Sequence, residues 1–242
     1  MRRALTTLAA AGLVAGAAAH ALPAVTAFAP GRRALLPGLA GTGPAERVAL
    51  TFDDGPDPAS TPLFLRMLAD YDVRATFFLL GTMLEQDLGL GREIVAAGHE
   101  VAVHGWYHRC LLWRGPRATH DDIARARDLV GGLGGGAPRW YRPPYGVLTT
   151  GALLACRRLG LEPKLWTAWG RDWRAAATPD SIVATVTSTL VGGGTVLLHD
   201  SDCTSAAGSW KRTLDALPRL IDWSRARNLR LGPLGDHEPV RP

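Results

Sequence analysis

The 242-residue chain is 47% hydrophobic and 20% charged, the balance of a globular protein long enough to bury one sizeable core. Its formal charge of +5 gathers at one end: Arg2, Arg3, Arg32 and Arg33 fall in the first 33 residues, which hold no acid, and beyond them 23 basic residues face 22 acidic ones. No basic run with interleaved aromatics remains, so no nucleic-acid partner is expected. Three cysteines are too few for a disulfide scaffold and are not spaced as a zinc ribbon.

Arg2 and Arg3 precede an uncharged run from Ala4 to Ala19, and the small residues at 17–21 suit a cleavage site. Residues 1–33 therefore read as a signal peptide or an N-terminal membrane anchor. The uncharged stretch continues to Pro30, long enough in principle to span a bilayer, whereas its Ala/Gly content and the breaks at Pro23 and Pro30 favour a signal peptide. Either form makes the expected location extracytoplasmic, secreted or anchored by the N-terminus.

From Arg47 onward, short β-rich runs alternate with stretches of helical period. Strands are expected at 48–52, 75–80, 100–104, 140–142, 164–169, 195–199 and 229–231, and helices near 61–71, 84–98, 119–132, 150–159, 178–191 and 211–227. The alternation implies an α/β fold of βαβ units around a parallel sheet of about seven strands, either a barrel or a doubly wound sheet. Both architectures gather their site at the carboxyl ends of the strands.

Four segments at such ends carry the chemistry. Thr51-Phe52-Asp53-Asp54-Gly55-Pro56 sets two carboxylates side by side, which repel unless a cation or hydrogen bonds compensate. The pair suits a metal ligand beside an acid/base group, or else a turn that caps the next helix. His104 and His108, four apart, present two imidazoles on one side of a helical turn. With Asp54 they make a two-histidine, one-carboxylate set with coordination positions left open for water and substrate. In Tyr141-Arg142-Pro143-Pro144-Tyr145-Gly146 the prolines lack donors, leaving the Tyr145 amide to stabilise an oxyanion, while Arg142 can hold a carboxylate such as Asp53 ionised. A rigid turn with a surface arginine is the plainer alternative. The strand Thr195 to His199 ends in a histidine placed for general-acid work, and Asp172-Trp173 can add a carboxylate and an aromatic wall. Cys156 reads as a core residue; Cys110 and Cys203 each follow a histidine segment, and an oxidising compartment would let them bridge if their loops meet.

In this order the segments resemble the polysaccharide deacetylase family, carbohydrate esterase family four, over residues 46–235. The resemblance implies an irregular (β/α) barrel of about seven strands forming a catalytic domain over 46–235. It implies Asp53 as catalytic base, Asp54, His104 and His108 as ligands of a divalent metal, usually zinc, with cobalt or manganese as alternatives, Arg142 as tether of the base, and Tyr145 as oxyanion donor. It also implies Leu197 lining the acyl pocket and His199 as general acid. The implied activity is metal-dependent hydrolysis of N-acetyl groups on amino-sugar polymers or oligomers such as peptidoglycan or chitin-like glycans. Two positions depart from the pattern. Gly105 stands where a Ser or Thr usually follows the first histidine, and Trp169 stands three residues before Asp172, where the family often has an aspartate that keeps the acid histidine protonated. Asp172 or Asp200 is left to take that role.

The altered positions keep a second class of function open, a catalytically silent protein that binds wall glycan, and a third, a deacylase of O-acyl or lipid-linked sugars. Trp106, Tyr107, Trp113, Trp166 and Trp169 are candidate sugar-stacking platforms or core residues. Substrate choice is expected in the loops 105–120 and 200–210.

Overall fold

The computed structural model describes residue 12, residues 14–27 and residues 31–237. The start of the expected leader, including Arg2 and Arg3, lies outside the described residues, and no described helix is long and apolar enough to cross a membrane.

Eight strands form one sheet: β1 (Arg47–Asp53), β2 (Thr76–Leu79), β3 (Glu100–Val103), β4 (Trp140–Tyr141), β5 (Glu162–Pro163), β6 (Ala168–Trp169), β7 (Thr195–His199) and β8 (Arg230–Gly232). Every pairing is parallel, in the order β5-β4-β3-β2-β1-β7-β6, with β8 added to the start of β1. Strands β1 to β5 neighbour one another in chain order, and the order continues from β1 to β7 and β6, which is the sequence of a barrel and not of a doubly wound sheet with a reversal point. The circle is incomplete, because β5 and β6 are not paired with each other among the described residues. The chain itself crosses this seam: Lys164 N bonds Tyr141 O on one side and Thr167 N bonds Thr195 O on the other. The single strand expected at 164–169 is thus two short strands flanking an irregular crossing.

Helices cover the outside: α1 (Thr61–Asp70), α2 (Gly81–Gln86), α3 (Leu88–Ala96), α4 (Pro116–Gly131), α5 (Thr150–Leu159), α6 (Pro179–Thr189) and α7 (Ser209–Arg225). The helix expected near 84–98 is split at Asp87, whose carboxylate accepts from Leu90 N and restarts the turn as an N-cap. Side chains of β1 divide by period two. Val48, Leu50 and Phe52 pack outward on the main core, with Phe52 edge-on to Phe64 of α1 at 5.2 Å, while Ala49 joins Phe78, Ala102, Trp140 and Leu234 in a separate cluster. The inward row continues with Thr51 and Asp53, so the period that builds the outer core also delivers a carboxylate to the top of the barrel.

Residues ahead of β1 are tied to the domain. Leu39 O and Gly41 O accept from Leu165 N and Thr195 Oγ1, Arg32 donates to Trp166 O, and Arg33 donates to Gly192 O. Truncating Phe52 to alanine is expected to cost about 3–5 kcal/mol, measured as a lower denaturation midpoint at constant m-value, because its ring is fully enclosed between β1, α1 and Phe77.

Candidate metal and catalytic site

The carboxyl ends of β1, β3, β4 and β7 bring the four sequence segments to one cavity of about 280 Å³, lined by Asp53, His104, His108, Tyr145, Leu197 and His199 among others. Arg142 follows β4 and is fully buried beneath it. Its guanidinium donates to Asp53 Oδ1 at 2.6 Å, Thr51 Oγ1 at 2.8 Å, and the carbonyls of Lys164 and Leu165 at 3.2 and 3.0 Å. Phe78 lies 3.9 Å beneath the guanidinium carbon. The Arg142 backbone carbonyl accepts from His104 Nδ1 at 2.8 Å. A carbonyl only accepts, so Nδ1 carries the proton and Nε2 keeps its lone pair.

Asp54 stands in the left-handed region at φ 79, a conformation aspartate tolerates but that is rare at a strand end. It turns one carboxylate oxygen toward Thr204 Oγ1, which donates at 2.5 Å. The other, Oδ1, is buried with no hydrogen-bond partner among the described residues. His104 Nε2 and His108 Nε2 lie 3.4 and 3.6 Å from that orphaned oxygen. The ligand atoms of Asp54, His104 and His108 fall within 4.8 Å of one another. A lone pair, an unsatisfied carboxylate oxygen and a second imidazole converging on one point fit a divalent cation, which would be held by these three residues. Burial pushes His108 down to about 4 against the opposing pull of Asp54, so the ring is neutral and available as a ligand at ordinary pH.

His199 faces them from β7. Asp172 accepts three times: from His199 Nδ1 at 2.9 Å, from His199 N at 2.8 Å, and from Thr213 Oγ1 of α7 at 2.9 Å. Burial alone would lower the imidazole pKa; the Asp172 charge and hydrogen bond outweigh it, helped by Asp54 and Asp53, and raise it to about 10. Nε2 is left to serve the cavity as a proton donor. Asp200 is engaged elsewhere, accepting from Thr61 Oγ1 at 2.5 Å, and burial raises its carboxyl to about 7.

Pro143 and Pro144 lead into Tyr145 at φ 60, ψ 7, a left-handed conformation strained by about 1–3 kcal/mol for a bulky residue. Gly146 follows at φ 69, and a β-carbon there would stand 2.7 Å from the Trp166 ring, so only glycine fits. Trp166, Trp169 and Trp173 form a continuous wall, with centroids 5.7 and 5.1 Å apart, ending edge-on to His199. Trp106 is core, buried against Gly81; Tyr107 and Trp113 are exposed and lie outside the cavity lining. Cys110 and Cys203 are free thiols, Cys203 donating to Asp54 O, and Cys156 is buried in the core as expected.

Against known proteins, the family model described as Polysaccharide deacetylase matches residues 40–163. The chain belongs to the polysaccharide deacetylase family. It is 38% identical to a chitooligosaccharide deacetylase of Bradyrhizobium sp. (strain ANU 289), over 77% of this chain and 88% of that one. Among solved structures it resembles a peptidoglycan N-acetylglucosamine deacetylase, at TM-score 0.74 and 29% identity over 81% of this chain and 90% of that chain. It also resembles a family 4 carbohydrate esterase from Streptomyces lividans solved with acetate, at TM-score 0.70 and 32% identity over 81% of this chain and 98% of that chain.

Both departures from the family pattern have a physical counterpart in this polysaccharide deacetylase. Asp172 itself pairs with the histidine, so Trp169 is free to extend the aromatic wall. Gly105 sits at φ 100, and the loop beyond it is held by the buried carboxylate of Asp122 in α4, which accepts from Trp106 N at 2.8 Å. Sequence reasoning missed Asp122, Thr204 and Thr213. Each acts from a loop or helix remote in sequence, and none has a local pattern to mark it.

Asp172→Asn should lower the His199 pKa by about 1–3 units in an NMR titration. With the folded value raised above 6.5, the pair stabilises the fold most fully below that pH, and the contribution is lost as pH climbs through about 10. Thr204→Val, which leaves Asp54 Oδ2 unheld, should weaken zinc binding about 10- to 100-fold by calorimetry.

Proposed function

We propose that this chain is an extracytoplasmic, divalent-cation-dependent N-deacetylase of acylated amino-sugar polymers or oligomers, of the peptidoglycan or chitin type. In this reading residues 1–33 direct export or anchor the protein and 46–235 carry the chemistry. The observation that carries it is the opposition of two devices across one cavity: an orphaned Asp54 oxygen flanked by two imidazoles, with Asp53 beside it on Arg142, and His199 paired to Asp172 on the far side.

A divalent cation, zinc by the nitrogen and oxygen donor set or else cobalt or manganese, supplies Lewis-acid polarisation of the acyl oxygen and a lowered water pKa when bound there. Asp53, held by Arg142, takes the proton from the attacking water as oxygen adds to the acyl carbon. The Tyr145 amide donates to the developing oxyanion from its rigid turn. His199 Nε2 gives its proton to the sugar nitrogen as the carbon–nitrogen bond breaks, leaving a carboxylic acid and a free amino sugar. Asp54 and Asp53 contribute to the raised His199 value, so neutralising Asp54 brings that donor down toward the working pH. Leu197 and the tryptophan wall exclude water and offer faces for acyl group and sugar. The silent-binder alternative drew its support from a missing partner for His199, and Asp172 fills that place.

With zinc or cobalt added, the full chain should release acetate from N-acetylglucosamine oligomers, and Asp53→Asn should cut the rate about 100- to 10,000-fold. A folded, metal-loaded protein that releases no acyl group from these oligomers, from O-acyl sugars or from lipid-linked sugars would refute the enzyme reading in favour of glycan binding.

A further inference from the structure

The segment ahead of the barrel is docked beside the mouth of the cavity, where it meets an exposed aromatic and basic loop. Ala19 O accepts from Thr150 Oγ1 at the head of α5, and His20 Nε2 contacts Leu111 O at 3.4 Å. The turn Leu22–Ala27 packs against Pro144–Gly146, the same turn that lines the cavity. What this region shows to solvent is apolar: Val14, Leu22 and Val25 are 70%, 68% and 62% exposed, and Trp113, two residues from the His20 contact, is 86% exposed. A tryptophan so fully presented buries little of its ring within the fold. Basic residues predominate in the loop itself, and the acids Asp121 and Asp122 follow it in α4, Asp121 in the same depression as Arg117. Between Tyr107 and His120 there are three arginines, Arg109, Arg114 and Arg117, and no acid, and no acid occurs in sequence before Glu46. Arg114 is turned inward to Asp122, whereas Arg109 and Arg117 are exposed.

An uncharged N-terminal run, an exposed tryptophan and the exposed Arg109 and Arg117 form the composition that settles at the headgroup level of an anionic bilayer. We propose that in the uncleaved chain this face, formed by residues 14–27 and the loop 107–117, docks on an anionic lipid surface and holds the mouth of the cavity against it. Positive charge selects the anionic surface, and Trp113 and the apolar turn enter the interface. The docked cavity would then meet acylated amino sugars presented at the membrane, a consequence that rests on the deacetylase reading, whereas the docking itself does not.

The test is cosedimentation of the full chain with phosphatidylglycerol/phosphatidylcholine vesicles and with phosphatidylcholine alone, repeated with Trp113→Ser and Arg117→Glu, while acetate release from soluble oligomers is followed in parallel. The expected result is preferential partitioning to the anionic vesicles, reduced about tenfold by each substitution with acetate release unchanged. Equal binding to both lipids, or variants that partition like the parent, would overturn the proposal by assigning any membrane contact to the uncharged N-terminus alone. Retention on chitin or peptidoglycan lost in Trp113→Ser, without vesicle binding, would overturn it in favour of a glycan platform. Vesicle binding as expected with no acetate release would support docking and count against the deacetylase reading only.

Discussion

A guanidinium with no access to water sits at the centre of this barrel, and most of the site is arranged around it. Burying a charge is tolerable only with a counter-charge and acceptors for its donors, and Arg142 has Asp53, Thr51 and two carbonyls from the seam between β5 and β6. Its planar fork matches that geometry, which a lysine could not reproduce. The incomplete sheet and the tethered Asp53 are therefore two aspects of one arrangement: the irregular crossing at 164–167 turns carbonyls inward because β5 and β6 do not pair, and the arginine that satisfies them also donates to Asp53. The backbone carbonyl of the same residue orients His104, so Asp53, His104 and the scaffold share one residue.

Four carboxylates crowd the top of the barrel, and each is kept in a different condition by its partners. Asp53 faces a permanent cation, Asp54 has one oxygen held by Thr204 and the other unsatisfied, Asp172 is saturated by three donors, and Asp200 is buried on a hydroxyl. In the proposed reading, the distinction between a base, a metal ligand, an orienting anion and a structural acid lies in these partners and not in residue type.

Much of this was legible in the sequence because the strands that matter most are buried on both faces. β1, β2, β3 and β7 appear as apolar runs, and three of them stop at Asp53, just before His104 and at His199, so strand ends and chemistry could be read together. The alternatives of barrel and doubly wound sheet were separated only by strand order, which depends on pairing across the chain. β5 and β6, two residues each around a kink, carry too little period to be seen, and 164–169 looked like one strand. Asp172 was visible as a residue, but its bond to His199 spans 27 positions and a competing carboxylate, Asp200, stood next door. Asp122 and Thr204 support the metal segments from other elements, a relation that only the folded chain creates.

The aromatic wall has a further implication. Trp166, Trp169 and Trp173 line the cavity with carbon surfaces, and such surfaces distinguish one face of a sugar ring from its edge without reading which hydroxyl is axial. Hydrogen-bonding sites reject an analogue that lacks a group, because their own polar atoms are left unpaired, whereas a stacking wall has no such penalty to impose. Discrimination along this wall should therefore be coarse in stereochemistry.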